Sequence, residues 1–495
     1  MIRRFMPLNP KKTLTRRDLL ILAGIVLFSV TFYLFLSAKV YRIGFPLDDS
    51  WIHQTYARNL ARFGEWSFIH GHPSAGSTSP LWTFLLSLAY LCNLSPYIWT
   101  FGLGAFFLFA IAVTVENSLR LLIPFYQPAY PYAGILFALE WHLIWAALSG
   151  METILFIFII LLLIQKLLLG SRNYLAEGLL IGLSIWVRPD GLTLMGPVLL
   201  LVLIQEENLA GRSRGLLNLF LGFVSLFFPY LIFNLVISSN PMPNTFYAKQ
   251  AEYSLWQATP LGLRFFYFSL QFFQGAALIL LPWFIFILFR EISKRHWGVI
   301  LASCWIFGFI LIYVTRLPVY QHGRYLLPAL SVYLFIGVMG SIESMRIFMD
   351  KHEEINKSLS LIALTLTLVG AFVYGGITYS RDTAYVEEQM VDTASWISKH
   401  IPATDNIAAH DIGALGYFCQ NNIIDLAGLI TPEIIPIMHN NPLILSYLNS
   451  HDVKYLVAFP NWKPELTFKS SELFTANHNF DDHQFDLTVY QWRMP

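Results

Sequence analysis

Long apolar runs separated by short charged connections dominate the chain. The first, residues 19–38, is about 20 residues long, enough to cross a hydrocarbon layer of roughly 30 Å. Further runs that can span follow at 97–121, 131–148, 151–168, 174–187, 191–205, 215–238, 266–289, 297–314, 324–346 and 358–378. The pattern predicts about 11 transmembrane helices. Segment 80–93, "PLWTFLLSLAYLCN", is apolar but short. A signal peptide carries a shorter apolar core and a small-residue cleavage site, so 19–38 is expected to be a retained helix.

The distribution of Lys and Arg gives these spans an orientation. Arg3, Arg4, Lys11, Lys12, Arg16 and Arg17 precede the first run and place the N-terminus in the cytoplasm. The connections "GSRNYLAEG", "ENLAGRSRG", "REISKRHW" and "RIFMDKHEEINKS" hold most of the remaining loop cations and belong on the same side. Gly150, Met151 and Glu152 then lie outside and Arg120 inside, so a single crossing fits between residue 39 and Arg120. Segment 80–93 is therefore expected as a re-entrant or interfacial helix. Beyond residue 378 short apolar runs alternate with Gly, Pro and Asp, and "VKYLVAFP" reads as a buried strand. The expected division is a transmembrane domain over 1–378, with a first external loop at 39–96, and a small extracytoplasmic α/β domain over 379–495.

Composition agrees with this picture. Of 495 residues 56% are hydrophobic and 13% charged, where soluble domains carry roughly a quarter charged residues. A net charge of +1 supplies no field for nucleic acid. Cys92, Cys304 and Cys419 are far apart and form no readable disulfide framework or metal motif.

With this topology the outer surface gathers ionisable residues from distant parts of the chain. The first loop contributes Asp48, Asp49, His53, His70, His72 and Thr78. Glu152 follows, then Arg188 with Asp190, then Asn244, Tyr247 and Lys249, and then His322, Arg324 and Tyr325. Charge near membrane depth is costly and tends to line a cavity, so convergence on one pocket is expected. Asp48 and Asp49 precede Trp51, Ile52, Tyr56, Leu60 and Phe63, which recur at helical spacing. One acid can cap that helix, and capping accounts for one carboxylate, not two. The other is available as a general base for a hydroxyl, while Arg188, Lys249 and Arg324 can hold an anionic leaving group such as a lipid phosphate. His53, His70 and His72 are candidate ligands for a divalent metal, but they lack tetrahedral spacing, and hydrogen bonding to sugar or carboxylate suits them better. No cofactor is otherwise implied. Glu140 and His142 fall in a span and are given no role.

The ordered stretches "DDSWIHQTYARNLARFGEWSF", "GSTSPLW", "SGMETILF", "WVRPDGL", "PNTFYAK", "GRYLLPAL" and "DIGALGYF" with "IIDLAGLITPEI" resemble bacterial integral-membrane glycosyltransferases of the GT-C superfamily. The similarity is greatest to the branch of terminal arabinofuranosyltransferases. It implies a multi-helix GT-C fold in the bacterial plasma membrane, a polyprenyl-phosphate sugar donor, and transfer with inversion at an external site. The acceptor would be a cell-envelope glycan, glycolipid or protein. The resemblance favours Asp48 as base, with Asp49 as cap or acceptor ligand and Glu152 as a second acid, and it assigns the phosphate to Arg188 and Arg324. A transporter or flippase of lipid-linked saccharides is the rival expectation, but such proteins usually carry internal repeats and polar groups near the midplane in matched broken helices, whereas here the polar groups gather at one face and no repeat is evident.

Overall fold

A computed structural model describes residues 14–348, 354–476 and 486–493. Arg3, Arg4, Lys11 and Lys12 of the N-terminal basic cluster, and residues 349–353 of the last basic connection, lie outside the described residues.

Helix α1 (Arg16–Val40) begins at a capping box in which Thr15 and Asp18 exchange side-chain and backbone hydrogen bonds. The segment that follows folds as α2 (Asp49–Phe63), a hairpin of β1 (Ser67–Ile69) and β2 (His72–Pro73), and α3 (Pro80–Leu91). The membrane part continues through α4 (Pro96–Leu122), α5 (Tyr132–Leu139), α6 (Trp141–Leu148), α7 (Thr153–Leu169), α8 (Tyr174–Val187), α9 (Met195–Gln205) and α10 (Leu209–Ser238). Then come α11 (Asn244–Glu252), α12 (Leu261–Phe272), α13 (Ala276–Lys294), α14 (Trp297–Arg316), α15 (Leu327–Phe348), α16 (Glu354–Val386) and α17 (Asp392–His400).

Among the described residues seven helices are long and apolar enough to cross a membrane, including Gln321–Met345 and the run Ala363–His400. Pro80–Leu91, Thr153–Leu169, Tyr174–Val187 and Pro189–Gln205 are shorter apolar helices. Helix α7 is buried almost all round, with Ile154, Phe156, Ile160 and Ile164 at its centre, so the bundle is built about it.

Two expected spans are broken. Run 131–148 divides at Glu140, whose carboxylate caps α6 by accepting from the Leu143 N–H at 3.1 Å and also meets His142 at 2.8 Å. A freed backbone amide in a low-dielectric layer needs such a partner. Run 266–289 divides between α12 and α13 at Gly275, where φ is +62° and a side chain would be strained. Residue 379, the expected domain boundary, lies within α16, which runs on through a π-turn at Glu387–Val391 into α17.

The remaining elements are β3 (Asn406–Ala409), α18 (Gly413–Phe418), β4 (Ile423–Asp425), α19 (Asn441–Ser450), β5 (Val453–Ala458), α20 (Pro464–Thr467), β6 (Ser471–Thr475) and β7 (Thr488–Gln491). The strand order is β4-β3-β5-β7-β6, with β4, β3 and β5 parallel and β5, β7 and β6 antiparallel. Ile407, Ala408, Leu456 and Val489 are buried in this sheet.

Candidate functional site

Helix α2 is buried on most of its surface. Trp51, Ile52, Tyr56 and Ala57 pack inward, but His53, Gln54 and Thr55 are buried too. The chain leaves the helix at Gly64 in the left-handed region, φ +70°. At its start the two adjacent carboxylates diverge. Asp48 has helical angles, φ −64° and ψ −36°, so its side chain does not curl back, and the expected cap on α2 is not formed. Its oxygens instead accept from Gly413 N–H at 2.7 Å and Ala414 N–H at 2.8 Å, in the C-terminal unit. Burial, and next the charge of Asp411, push the Asp48 carboxyl up to about 7.

Asp49 faces a cleft of ≈ 1020 Å³, its open mouth included, which Asp48 does not line. The Asp49 carboxylate sits 3.0 Å from Arg324 Nη2 and 3.7 Å from Lys249 Nζ. Burial alone would raise its pKa, but Lys249 and Arg324 outweigh that and hold it well below the usual carboxylate range. Lys249 and Arg324 also donate to the Tyr325 hydroxyl, at 3.0 and 3.1 Å. Arg324 is buried, and its Nε and Nη1 have no partner. Uncompensated buried guanidinium N–H groups are costly, and the Nη2 that does have partners is the one turned to Asp49 and Tyr325.

A second polar group adjoins the first. Glu152 Oε1 accepts from Arg188 Nη1 at 3.0 Å, and its Oε2 faces His53 Nε2 at 3.4 Å. Against the push of burial, His53 and Arg188 hold the Glu152 carboxyl down to about 2. His53 Nδ1 is hydrogen-bonded to the Ser77 and Thr83 hydroxyls, at 3.0 and 3.2 Å. Arg188 also reaches Asp190 at 3.0 Å and the Tyr313 hydroxyl at 3.1 Å, and Tyr313 in turn donates to Asp190. The Tyr313 and Tyr325 rings stack at 5.5 Å, which joins the two groups. An ionised carboxylate, Asp49, thus stands in the cleft beside two cations, Lys249 and Arg324.

Of the residues singled out from sequence, Asp49, His53, Thr78, Glu152, Arg188, Asp190, Lys249, Arg324 and Tyr325 line the cleft. Asn244 is buried between the lining residues Pro243 and Thr245 but is not itself part of the wall, and Tyr247 packs its ring against Phe246. His322 lies apart, 2.8 Å from Asp382 and against Trp141 and Trp145. His72 is exposed on β2, and His70 stacks on Phe63 and pairs with Glu65, so the three loop histidines do not converge. Among the described residues no group of three or more His, Cys, Asp or Glu is placed to hold a metal ion. Sequence inspection missed Tyr313, Arg316 and Thr245 in the lining. Tyr313 and Arg316 end an apolar run, "LIYVTR", and carry no pattern signal there.

Comparison with solved structures identifies the architecture. ArnT from Cupriavidus metallidurans bound to undecaprenyl phosphate superposes with a TM-score of 0.56 at 12% identity, covering 94% of this chain and 97% of that one. The apo oligosaccharyltransferase of Archaeoglobus fulgidus superposes with a TM-score of 0.57 at 12% identity, over 94% of this chain and 75% of that one. The fold is that of the GT-C glycosyltransferases. Within the same fold, the mycobacterial arabinofuranosyltransferase AftD gives a TM-score of 0.52 at 14% identity, over 97% of this chain and 42% of AftD. The family described as "Domain of unknown function (DUF8728)" matches residues 379–490 of this chain, less than half of its length. No curated protein matches it.

Proposed function

We propose that the protein is an inverting membrane glycosyltransferase. It moves a sugar from a polyprenyl-phosphate-linked donor to a hydroxyl of a cell-envelope glycan, glycolipid or protein at the outer face of the bacterial plasma membrane. The observation that carries this proposal is the Asp49 carboxylate held beside Lys249 and Arg324 in the cleft that all three line. Asp49 takes the proton of the acceptor hydroxyl as its oxygen bonds to the anomeric carbon. The bond from that carbon to phosphate breaks, and the electron pair leaves on the polyprenyl phosphate. Lys249, Arg324 and the Tyr325 hydroxyl receive the growing charge. Such a leaving group needs no acid, so one base and a cationic cradle suffice. Glu152, oriented by His53 and Arg188, faces the sugar.

This assignment exchanges the roles first expected for the acid pair, because both Asp48 oxygens are committed to backbone N–H groups. The donor chemistry draws support from the fold likeness to ArnT solved with undecaprenyl phosphate and to archaeal AglB solved with dolichol-phosphate. The motif order favours the arabinofuranosyltransferase-like branch.

The same proposal includes the topology. Asp18 of α1 and Arg120 of α4 meet at 3.0 Å, which puts the start of α1 and the end of α4 on one side. Following the chain from there, α5 and α6 count as one crossing, and α7, α8, α9, α10, α13, α14, α15 and α16 complete 11 with α1 and α4. The N-terminus is cytoplasmic and the unit after α17 is extracytoplasmic.

Binding of undecaprenyl phosphate to the detergent-purified protein, followed by native mass spectrometry, tests the cradle. Arg324→Ala and Lys249→Ala should each weaken binding about tenfold or more, the scale of one lost hydrogen bond from a charged group. Equal binding by wild type and both variants would remove the phosphate from this cleft.

A further inference from the structure

The C-terminal unit touches α2 through α18, the six-residue helix "GALGYF". Both ends of α18 are held by side chains from α2 and the residue before it. At the N-terminal end Asp48 accepts from Gly413 and Ala414 at 2.7 and 2.8 Å. At the other end Arg58 donates from Nη1 to the Tyr417 carbonyl at 2.6 Å and from Nη2 to the Gly416 carbonyl at 3.1 Å. An anion at a helix N-terminus and a cation at its C-terminus both complement the unpaired backbone groups there. Between the two grips the Trp51 ring lies against the Tyr417 and Phe418 rings, at 4.7 and 4.8 Å. The backbones approach closely: a Cβ added to Gly413 would stand 2.0 Å from the Asp48 carbonyl oxygen.

We propose that the C-terminal unit acts as a brace for the active site, with α18 gripped at its ends by Asp48 and Arg58 so that the first turn of α2, and Asp49 with it, is fixed in place. This rests on Asp49 being the base. Asp48 and Arg58 stand ten residues apart, about 15 Å along a helix, so two anchors set both the tilt and the rotation of α2. A carboxylate that must meet an acceptor hydroxyl within about 3 Å gains directly from such a constraint. Asp48 and Arg58 are thus positioning residues, and the unit of unknown function acquires a task. The brace continues into the bundle, because α18 packs on the Glu387–Val391 π-turn that prolongs α16.

The test uses the full chain in liposomes and four forms: Asp48→Asn, Asp48→Ala, Ala414→Pro and the Asp48→Ala/Ala414→Pro double variant. Proline at 414 removes the N–H that Asp48 receives and leaves every side chain of the cleft intact, and the first turn of a helix tolerates it. Hydrogen exchange of the 410–418 peptide should quicken about tenfold in Asp48→Ala and Ala414→Pro, with Asp48→Asn between them and wild type, since the amide still offers one acceptor. Exchange in α7 reports any general loss of fold. Turnover of a polyprenyl-phosphate-linked sugar should fall in the same order with donor KM unchanged, because Lys249 and Arg324 are untouched. The double variant should be no slower than Asp48→Ala. Unaltered exchange in Asp48→Ala overturns the proposal. So does an Asp48→Asn form as inactive as Asp48→Ala while Ala414→Pro turns over normally, since Asp48 would then act in the chemistry. If wild type transfers no sugar, the glycosyltransferase reading fails, and the exchange data still decide whether Asp48 holds α18.

Discussion

Asp48 and Asp49 are adjacent, yet the fold directs one carboxylate to a neighbouring helix and the other to the cleft. Sequence reasoning separated their tasks but not their identities, because the partner that claims Asp48 is 365 residues away. Periodicity sees contacts on one element; it carries nothing about which backbone amides a distant helix will present. The cations were legible because sidedness follows from loop charge. The pH behaviour of the site follows from them. Lys249 and Arg324 hold Asp49 below the usual carboxylate range, so it stays charged to low pH. The acid limb of kcat/KM, which reports the free enzyme, should therefore lie below about pH 4. Lys249→Gln removes one of the two opposing charges, raises the Asp49 pKa and should carry that limb upward, Arg324 still holding it below the usual carboxylate range. A limb that stays put would detach Lys249 from the titrating group.

At the scale of elements, unbroken apolar runs such as Pro96–Leu122 and Trp297–Arg316 matched their expected bounds to within two residues. The broken ones did not, because hydropathy is blind to where a backbone hydrogen bond is handed to a side chain. Glu140 in "ALEWHL" stands one residue before a helical pattern, but Glu is not among the residues that usually cap a helix start, so the break carried no capping signal in the sequence. Glu140→Ala should cost about 1–2 kcal/mol by leaving the Leu143 N–H buried without its acceptor. Helix pairing gives a second expectation. Helices α8 and α10 meet through Gly178 and Gly222, where an added Cβ would lie 2.1 Å from the Leu219 carbonyl oxygen and 2.2 Å from that of Leu175. Small residues allow such approach where lipid supplies no hydrophobic drive. Gly222→Ala should lower the thermal midpoint in detergent, by an overpacking cost of about 1–3 kcal/mol. Gly24→Ala, whose Cβ would meet nothing within 4 Å, should not lower it. Equal midpoints for the two would remove the close contact from the account.

For the whole molecule, the proposed alternating crossings would put Glu152, Arg188, Lys249 and Arg324 on one side and Asp18, Arg120 and Arg172 on the other. Loop charge suggested that division, and the Asp18–Arg120 pair at 3.0 Å agrees with it. In a Cys92→Ser/Cys304→Ser background, an impermeant thiol reagent applied outside should label Ser450→Cys and leave Arg172→Cys unlabelled. The reverse pattern would invert the topology. What the sequence left out of sight was the joining of the C-terminal unit to α2, which depends on tertiary contact alone.

The most direct measurement is sugar transfer by protein reconstituted in liposomes, using polyprenyl-phosphate-linked donors and comparing wild type with Asp49→Asn. Removing the base should slow transfer about 100-fold or more, with undecaprenyl phosphate still bound. Transfer by Asp49→Asn at the wild-type rate would contradict the account.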